Sequence, residues 1–403
     1  MNIGDEGPVK KSNHFQRYLE YTESVLSKYN GSEPFHLYLK KYFAGNKKHG
    51  SRDRKQITGL CYNYFRIGFG AIPSLEISQK VVLSTFLTSK QSNPLVEFLK
   101  PEWNAKAGCP ISEKLSIVSD IFNVKQIVPF RDEVSDRINF DKFCLSFFTQ
   151  PKLFIRIRPG FKKIILNKLN SAGIPFEESG ENCLSFSNNE KVSEVLITDK
   201  EAVIQDYNSQ KTIDFLTAHL GTLKPGVSLW DCCAASGGKS ILSFDRLKGI
   251  DITVSDTRKK MLENLHLRFS KAGIKKYHSF IADLSKDSTA LQLKNQPEII
   301  IADVPCSGSG TWARTPEQLK YFSKKTIDQY SALQKSIVKN ASDQLAPGGY
   351  FLYITCSVFK KENEENVEFF AQNKGMKLVD SGYLEGYEMQ ADTLFAAIFK
   401  KNL

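Results

Sequence analysis

The sequence contains no apolar run near the ~18 residues a membrane-spanning helix needs. Its start, Met1 to Glu6, is polar and charged, so no secretory signal is expected. Eight cysteines (61, 109, 144, 183, 232, 233, 306 and 356) are scattered without a C-x-x-C pair. That spacing argues against a zinc ribbon and a disulfide framework; it suits reduced thiols, a cytoplasmic location and no bound metal. The dinucleotide fingerprint G-x-G-x-x-G is absent. Gly238-Lys239-Ser240 resembles the end of a phosphate-binding loop, but Cys233 stands where that loop needs its first glycine. Acids are scarce in two places. Lys40 to Arg66 holds eight basic residues and one acid, Asp53, and Pro151 to Phe176 holds six basic residues and none.

What is present is a globular composition, 41% hydrophobic, with a formal charge of +11 over 403 residues. Such a length suggests two or three domains, and a basic balance favours polyanion partners. The chain is expected to be monomeric. Residues 1–145 read as helical, with apolar faces through Leu19, Val25 and Leu26 and through Leu39 and Phe43. The basic tract there, Lys40, Lys41, Lys47, Lys48, Arg52, Arg54, Lys55 and Arg66, is either a phosphate-contacting surface or a solvated helix face with Asp53 as a cap. Cys61, Cys109 and Cys144 read as small core residues. Residues 146–204 change character. Leu153 to Arg158 alternates apolar and basic side chains like a half-buried strand, and Phe161 to Ala172 follows as a helix ended by Gly173. Arg156 and Arg158 share a face of that strand, which suggests a small α+β subdomain with a basic surface, either a candidate for an RNA backbone or ordinary surface charge, the latter less favoured because no acid balances the run.

Residues 205–403 carry the chemistry. Strand-like runs end in Asp231, Asp256, Asp283 and Asp303, at 25, 27 and 20 residue intervals that each fit one βα unit. The fold class is therefore α/β, a Rossmann-like and mostly parallel seven-stranded sheet closed by an antiparallel pair near Met376 to Val379 and Thr393 to Lys400. A series of strand-end acids in a doubly wound sheet suits a nucleoside cofactor, with Asp256 at the ribose hydroxyls, Asp283 at the adenine amine and Asp303 near the reacting end. The turn Cys233-Ala234-Ala235-Ser236-Gly237-Gly238-Lys239 lacks pyrophosphate-binding glycines. It favours S-adenosyl-L-methionine, whose carboxylate can lie on the amides of the helix start. Ile299 to Asp303 and Gly349 to Thr355 each run into a cysteine, Cys306 and Cys356. The 50-residue gap between those thiols fits a crossover helix, Pro316 to Leu345, and parallel neighbouring strands. The Ser-Gly-Ser-Gly run after Cys306 reads as a loop open to a flat ligand.

Four separated motifs carry a resemblance. Gln205-Asp206 with Ser209-Gln210, Cys233 to Lys239, Asp303-Val-Pro-Cys306-Ser-Gly-Ser-Gly, and Thr355-Cys356-Ser357 with Glu362-Asn-Glu364 together resemble the Sun (Fmu, RsmB) group of RNA 5-methylcytosine methyltransferases. The match runs from about residue 150 to the end. Gly50 to Arg66 is similar to the helical RNA-binding fold of the antitermination factor NusB. Ser236 replaces the group's usual proline, and Val304 and Trp312 are further departures. The resemblance implies attack by Cys356 on cytosine carbon 6, release assisted by Cys306, and Asp303 at the exocyclic amine and ring nitrogen 3. The target base would be looped or flipped out. It implies S-adenosylmethionine as methyl donor and ribosomal RNA as partner, with transfer RNA or a non-catalytic assembly role as alternatives. A thiol of ordinary pKa needs local help to attack, and Lys239 is a candidate source.

Overall fold

The computed structural model describes residues 8–221, 223–286, 291–373 and 375–403. The polar stretch Met1 to Glu6, read above for a signal, lies outside them. The chain divides into two units. One holds the residues up to Arg131 with Asn139–Thr149 and Trp312–Phe322; the other holds Asp132–Ile138, Gln150–Thr311 and Ser323–Leu403. Among the described residues no helix is long and apolar enough to cross a membrane.

The first unit is helical, built on Pro8–Lys28, Phe35–Gly45, Ser51–Arg66 and Ile77–Thr88. Ser51–Arg66 buries Ile57, Leu60, Cys61 and Phe65, one stripe at helical spacing, in a core with Val25, Phe35, Leu39 and Val81. Asp53 accepts the Gly50 amide (3.1 Å) at the start of this helix and the Tyr18 hydroxyl (2.8 Å), so it is a cap as well as a lone acid. Arg66 corrects the reading of the basic tract. It is buried, and its guanidinium donates to the carbonyls of Phe147 (2.8 Å) and Ala313 (2.9 Å). Lys40, Lys47, Lys48, Arg52, Arg54 and Lys55 are exposed. Cys61 and Cys144 are buried, but Cys109 is only partly so and is not a core residue.

The second unit holds two sheets. Strands β1 (Leu153–Ile157), β2 (Glu177–Gly180), β3 (Cys183–Phe186) and β4 (Ala202–Ile204) form an antiparallel sheet in the order β2-β3-β1-β4. Ile155 and Ile157 face the helix Lys162–Ser171 through Ile165 and Leu169. Arg156 and Arg158 lie on the opposite face, as the alternation requires. Here the structure overturns the expected basic surface. Both arginines are buried against Asp245, at 2.6 Å for Arg156 and 2.8 Å for Arg158, and Arg158 also donates to the Ala272 carbonyl at 2.8 Å. A guanidinium placed opposite a carboxylate and open carbonyls docks rather than faces solvent.

The larger sheet comprises β5 (Ser228–Asp231), β6 (Asp251–Asp256), β7 (His278–Ile281), β8 (Ile299–Asp303), β9 (Tyr350–Thr355), β10 (Met376–Leu384) and β11 (Leu394–Lys401), in the order β10-β11-β9-β8-β5-β6-β7. All pairs from β9 to β7 are parallel, and β11 runs antiparallel to both its neighbours. The central strands β8 and β9 are apolar almost throughout because both their faces are covered, whereas β7 and β10 at the two edges carry polar residues. Ile300, Phe351 and Phe395 point to one layer, with Ile337 and Val338 of the helix Lys325–Asp343. Ile299, Ile301, Leu352 and Ile398 point to the other, with Ile213 and Leu216 of the helix Tyr207–Thr217. The crossover read as one helix is two. Lys325–Asp343 covers the sheet, whereas Glu317–Tyr321 belongs to the helical unit, where the Tyr321 hydroxyl donates to the Tyr29 carbonyl (2.7 Å).

Candidate active site

From β5 the chain steps to β6 and β7 on one side, then to β8 and β9 on the other. That reversal opens a crevice outside the carboxyl ends of β5 and β8, the place where open α/β sheets hold ligands. β5 delivers the turn Cys232 to Gly237 to this crevice, β8 delivers Asp303 and Cys306, and β9 delivers Cys356.

The turn is tightly shaped. Ala235 and Gly237 both have positive φ, 46° and 83°, and a Cβ on Gly237 would sit 2.9 Å from Leu265 and Phe269 side-chain atoms. Ser236, where the resembling group carries proline, is held instead by Arg268. That guanidinium donates to the Ser236 carbonyl and hydroxyl (3.0 Å each) and pairs with Asp199 (2.8 Å). The helix Gly238–Arg246 then begins and presents Lys239 in its first turn. Lys239 is no surface lysine. Its ammonium lies 2.7 Å from Asp303 Oδ2 and 3.3 Å from Ser209 Oγ. Burial opposes its charge, but Asp303, Cys356 and Asp231 outweigh it and raise its pKa.

The Gln205 to Gln210 motif supports that lysine. Gln205 Nε2 reaches Ser209 Oγ at 3.3 Å, while its carbonyl oxygen Oε1 accepts from Arg156 Nε at 3.0 Å. Asp206 caps the helix Tyr207–Thr217 by accepting the Asn208 amide (2.9 Å), and Gln210 Nε2 donates back to the Gln205 carbonyl (2.9 Å). A chain of contacts therefore runs from Asp245 through Arg156, Gln205 and Ser209 to Lys239.

The two thiols meet. Cys306 Sγ and Cys356 Sγ are 3.1 Å apart, and the Cys356 amide points at Cys306 Sγ (3.3 Å). The contact with Cys356, then burial, push the Cys306 thiol well up, and the Glu362 carboxylate adds to this. Asp231 at the end of β5 is fully buried. Burial raises its carboxyl to about 7, against the opposing hydrogen bond from Ser240 Oγ (2.6 Å).

Cys233, Ala235, Asp256, Asp283, Asp303, Cys306 and Cys356 all line one cleft of about 560 Å³. Lys239 touches this group through Asp303; Ala234, Ser236, Gly237 and Gly238 shape the turn behind it. Asp256 accepts the Ala235 amide (3.0 Å) and the Arg258 amide and guanidinium (2.9 and 3.0 Å). Burial works against its charge, but Arg258 and the amides win and lower its pKa. Asp283 accepts the Ser285 hydroxyl (2.5 Å), which with Lys286 lowers its pKa. Among the described residues no cluster of side chains could hold a metal ion.

The sequence reading missed what joins the two cysteine loops. Gly310 does not open the loop to a ligand. Its amide donates to the Cys356 carbonyl (2.9 Å), its carbonyl accepts the Thr393 amide (2.9 Å), and a Cβ there would lie 2.0 Å from the Thr393 oxygen. Ser307 and Ser309 are buried against Ser357 (3.1 and 3.3 Å). Asn363 accepts from Thr355 (2.5 Å) and donates to the Ser357 carbonyl (2.8 Å). In sequence Glu362-Asn-Glu-Glu-Asn366 looks like a solvated helix start; only its place in the fourth motif marks it. Because Gly310 meets backbone atoms that cannot rotate away, Gly310→Ala should cost about 3 kcal/mol or more, read as a lower denaturation midpoint.

Residues 219–397 match the family described as 16S rRNA methyltransferase RsmB/F. Over that stretch, a little under half of the chain, the sequence is similar to the methyltransferase domain of the RsmB/F group. The ribosomal RNA small subunit methyltransferase B of Xanthomonas campestris pv. campestris is 30% identical over 174 residues, covering 42% of this chain and 38% of that relative. The chain thus spans well under half of that relative's length. Two solved structures share the fold. PH0851 covers 98% of this chain and 100% of its own at a TM-score of 0.68 and 18% identity. NSun6 from Pyrococcus horikoshii, solved with SFG, covers 69% of this chain and 96% of its own at 0.55 and 16%.

Proposed function

We propose that this chain is an S-adenosylmethionine-dependent RNA cytosine carbon-5 methyltransferase acting on small-subunit ribosomal RNA through a covalent cysteine–cytosine adduct. The observation that carries the reading is the meeting of two thiols, a carboxylate and an ammonium at the switch point of an RsmB/F-type domain. Carbon 5 of cytosine is a poor nucleophile. Addition of the Cys356 sulfur at carbon 6 makes it enamine-like and able to take a methyl group from the cofactor's sulfonium. Asp303, held by Lys239, would accept from the exocyclic amine of the base and from ring nitrogen 3 once that nitrogen takes up the proton lost by the adding Cys356 thiol. Lys239 also sets a positive charge within electrostatic reach of Cys356, the local help a nucleophilic thiol requires. Cys306 would then assist release by passing its own proton to the departing Cys356 sulfur, 3.1 Å away, as it takes the proton of carbon 5. The exposed lysines and arginines between Lys40 and Lys55 would supply phosphate contacts, and the enzyme would act as a cytoplasmic monomer.

The cleft is large enough for a nucleoside cofactor, whose size class is a few hundred Å³. Asp256 would take the ribose hydroxyls once the mostly exposed Arg258 side chain swings aside, Asp283 the adenine amine, and the amides from Cys233 to Lys239 the carboxylate. Asp256→Ala should weaken S-adenosylmethionine binding by about 10- to 100-fold by calorimetry, the worth of hydrogen bonds to a charged group. Unchanged affinity would remove Asp256 from the cofactor site. The function itself is tested by incubating the protein with small-subunit RNA from cells lacking it and mapping 5-methylcytosine. Modification confined to transfer RNA would change the substrate, and none at all would favour an assembly role.

A further inference from the structure

Glu362 is completely buried, and among the described residues no cation pairs with it. A lone carboxylate is expensive to bury unless it is fully hydrogen-bonded. Its Oε2 accepts the Ser307 amide (2.9 Å) and Gln334 Nε2 (3.0 Å), and its Oε1 accepts the Ser357 hydroxyl (2.8 Å). Ser307 directly follows Cys306, and Ser357 directly follows Cys356. One carboxylate therefore grips the residue after each thiol. Gln334 Nε2 also donates to the Pro305 carbonyl (2.9 Å), just before Cys306, and the Tyr353 hydroxyl secures the Glu362 carbonyl (2.6 Å). Every group on the carboxylate is a donor, which favours its ionised form against the burial that raises its pKa.

The thiol pair thus lies between opposite charges. Lys239 is within electrostatic reach of Cys356, and Glu362 is within reach of Cys306. We propose that Glu362 is a positioning residue that divides the labour between the two cysteines, fixing their loops at contact distance and keeping Cys306 the proton-carrying member of the pair. The catalytic meaning of this rests on the methyltransferase reading; the effect on Cys306 does not. The other titratable groups facing the pair are Tyr330 from the helix Lys325–Asp343, Tyr353 from β9, and Lys239 with Asp303 across the cleft. All of them remain in a Glu362→Gln protein, so a difference between the two reports the carboxylate charge. Glutamine can still accept from the Ser307 amide and donate to Ser357.

The test is alkylation of Cys306 by iodoacetamide from pH 6 to 10, followed by peptide mass spectrometry, in Cys356→Ala and in Cys356→Ala with Glu362→Gln. Loss of the charge should speed Cys306 modification at pH 7 by about tenfold, the effect of one pKa unit. Rates within twofold at every pH overturn the proposal. Wild-type protein provides an arm free of any folding question: Cys356 should be alkylated faster than Cys306 at pH 7.5, and equal or reversed rates also overturn it. In methylation assays Glu362→Gln should lose about tenfold in kcat with KM for RNA within threefold, and a wild-type kcat overturns the proposed role. A wild-type protein that alkylates as expected yet never methylates RNA defeats the methyltransferase reading and leaves the charge effect standing.

Discussion

Replacing Cys306 by alanine should make the protein accumulate an RNA adduct that survives denaturing gels, while replacing Cys356 should give none. The expectation follows from the separate tasks proposed for the two thiols. A protein without Cys356 has no sulfur to add to carbon 6, so methyl transfer should fall by on the order of a thousandfold or more, as when other covalent nucleophiles are removed. A protein without Cys306 can still add Cys356 and receive the methyl group, but it cannot complete the elimination and stays joined to its substrate. Their 3.1 Å separation makes the roles a real question, because either sulfur could be imagined at the same base. The proposed roles give addition to Cys356, with Lys239 in electrostatic reach, and release to Cys306, with Glu362 in reach. Purified proteins, total RNA and labelled S-adenosylmethionine suffice for the measurement. Trapping by Cys356→Ala would exchange the roles, and sequencing the trapped RNA would identify the target.

The parts of this site that can be read from sequence are those built by burial and punctuation. Asp303 and Cys306 announce themselves because an apolar run covered on both faces must end in a turn, and although one acid at a strand end is often just a helix cap, Asp303 is the last of a series of four. The parallel pairing of β8 with β9 follows from the spacing of two such runs. What alternation cannot tell is what faces a strand. It places Arg156 and Arg158 together, and they are together, but Asp245 opposite them comes from 87 residues further along the chain. Lys239 and Glu362 can be picked out as motif residues, but their partners are hidden for the same reason: those arrive from other loops, and a buried charge looks in sequence like any surface charge. Trp312 to Phe322 is a further case. Its place in the helical unit depends on Arg66 and Tyr29, hundreds of positions away, and no local pattern encodes that.

Asp245→Ala should be among the most destabilising single changes in the C-terminal unit. The side chains of Asp245, Arg156 and Arg158 are all more than nine-tenths buried, and one carboxylate serves both guanidiniums. Deleting it leaves two buried cations, and breaking a buried pair from one side typically costs about 3–5 kcal/mol. Arg158 keeps the carbonyls of Ala272 (2.8 Å) and Asp199 (3.1 Å), which softens the loss without supplying a negative charge. The denaturation midpoint should fall accordingly. Removing all three groups together, as Arg156→Met, Arg158→Met and Asp245→Leu, should recover much of the stability, because a filled apolar site has no charges left to desolvate. Activity should not recover with it. Arg156 Nε also holds Gln205, which holds Ser209, which accepts from Lys239, so the triple variant should fold yet methylate more slowly. If the single variant loses less than about 1 kcal/mol, the arginines are solvated and the small sheet is not anchored through Asp245. If the triple variant methylates at the wild-type rate, the contacts from β1 to Lys239 contribute packing alone.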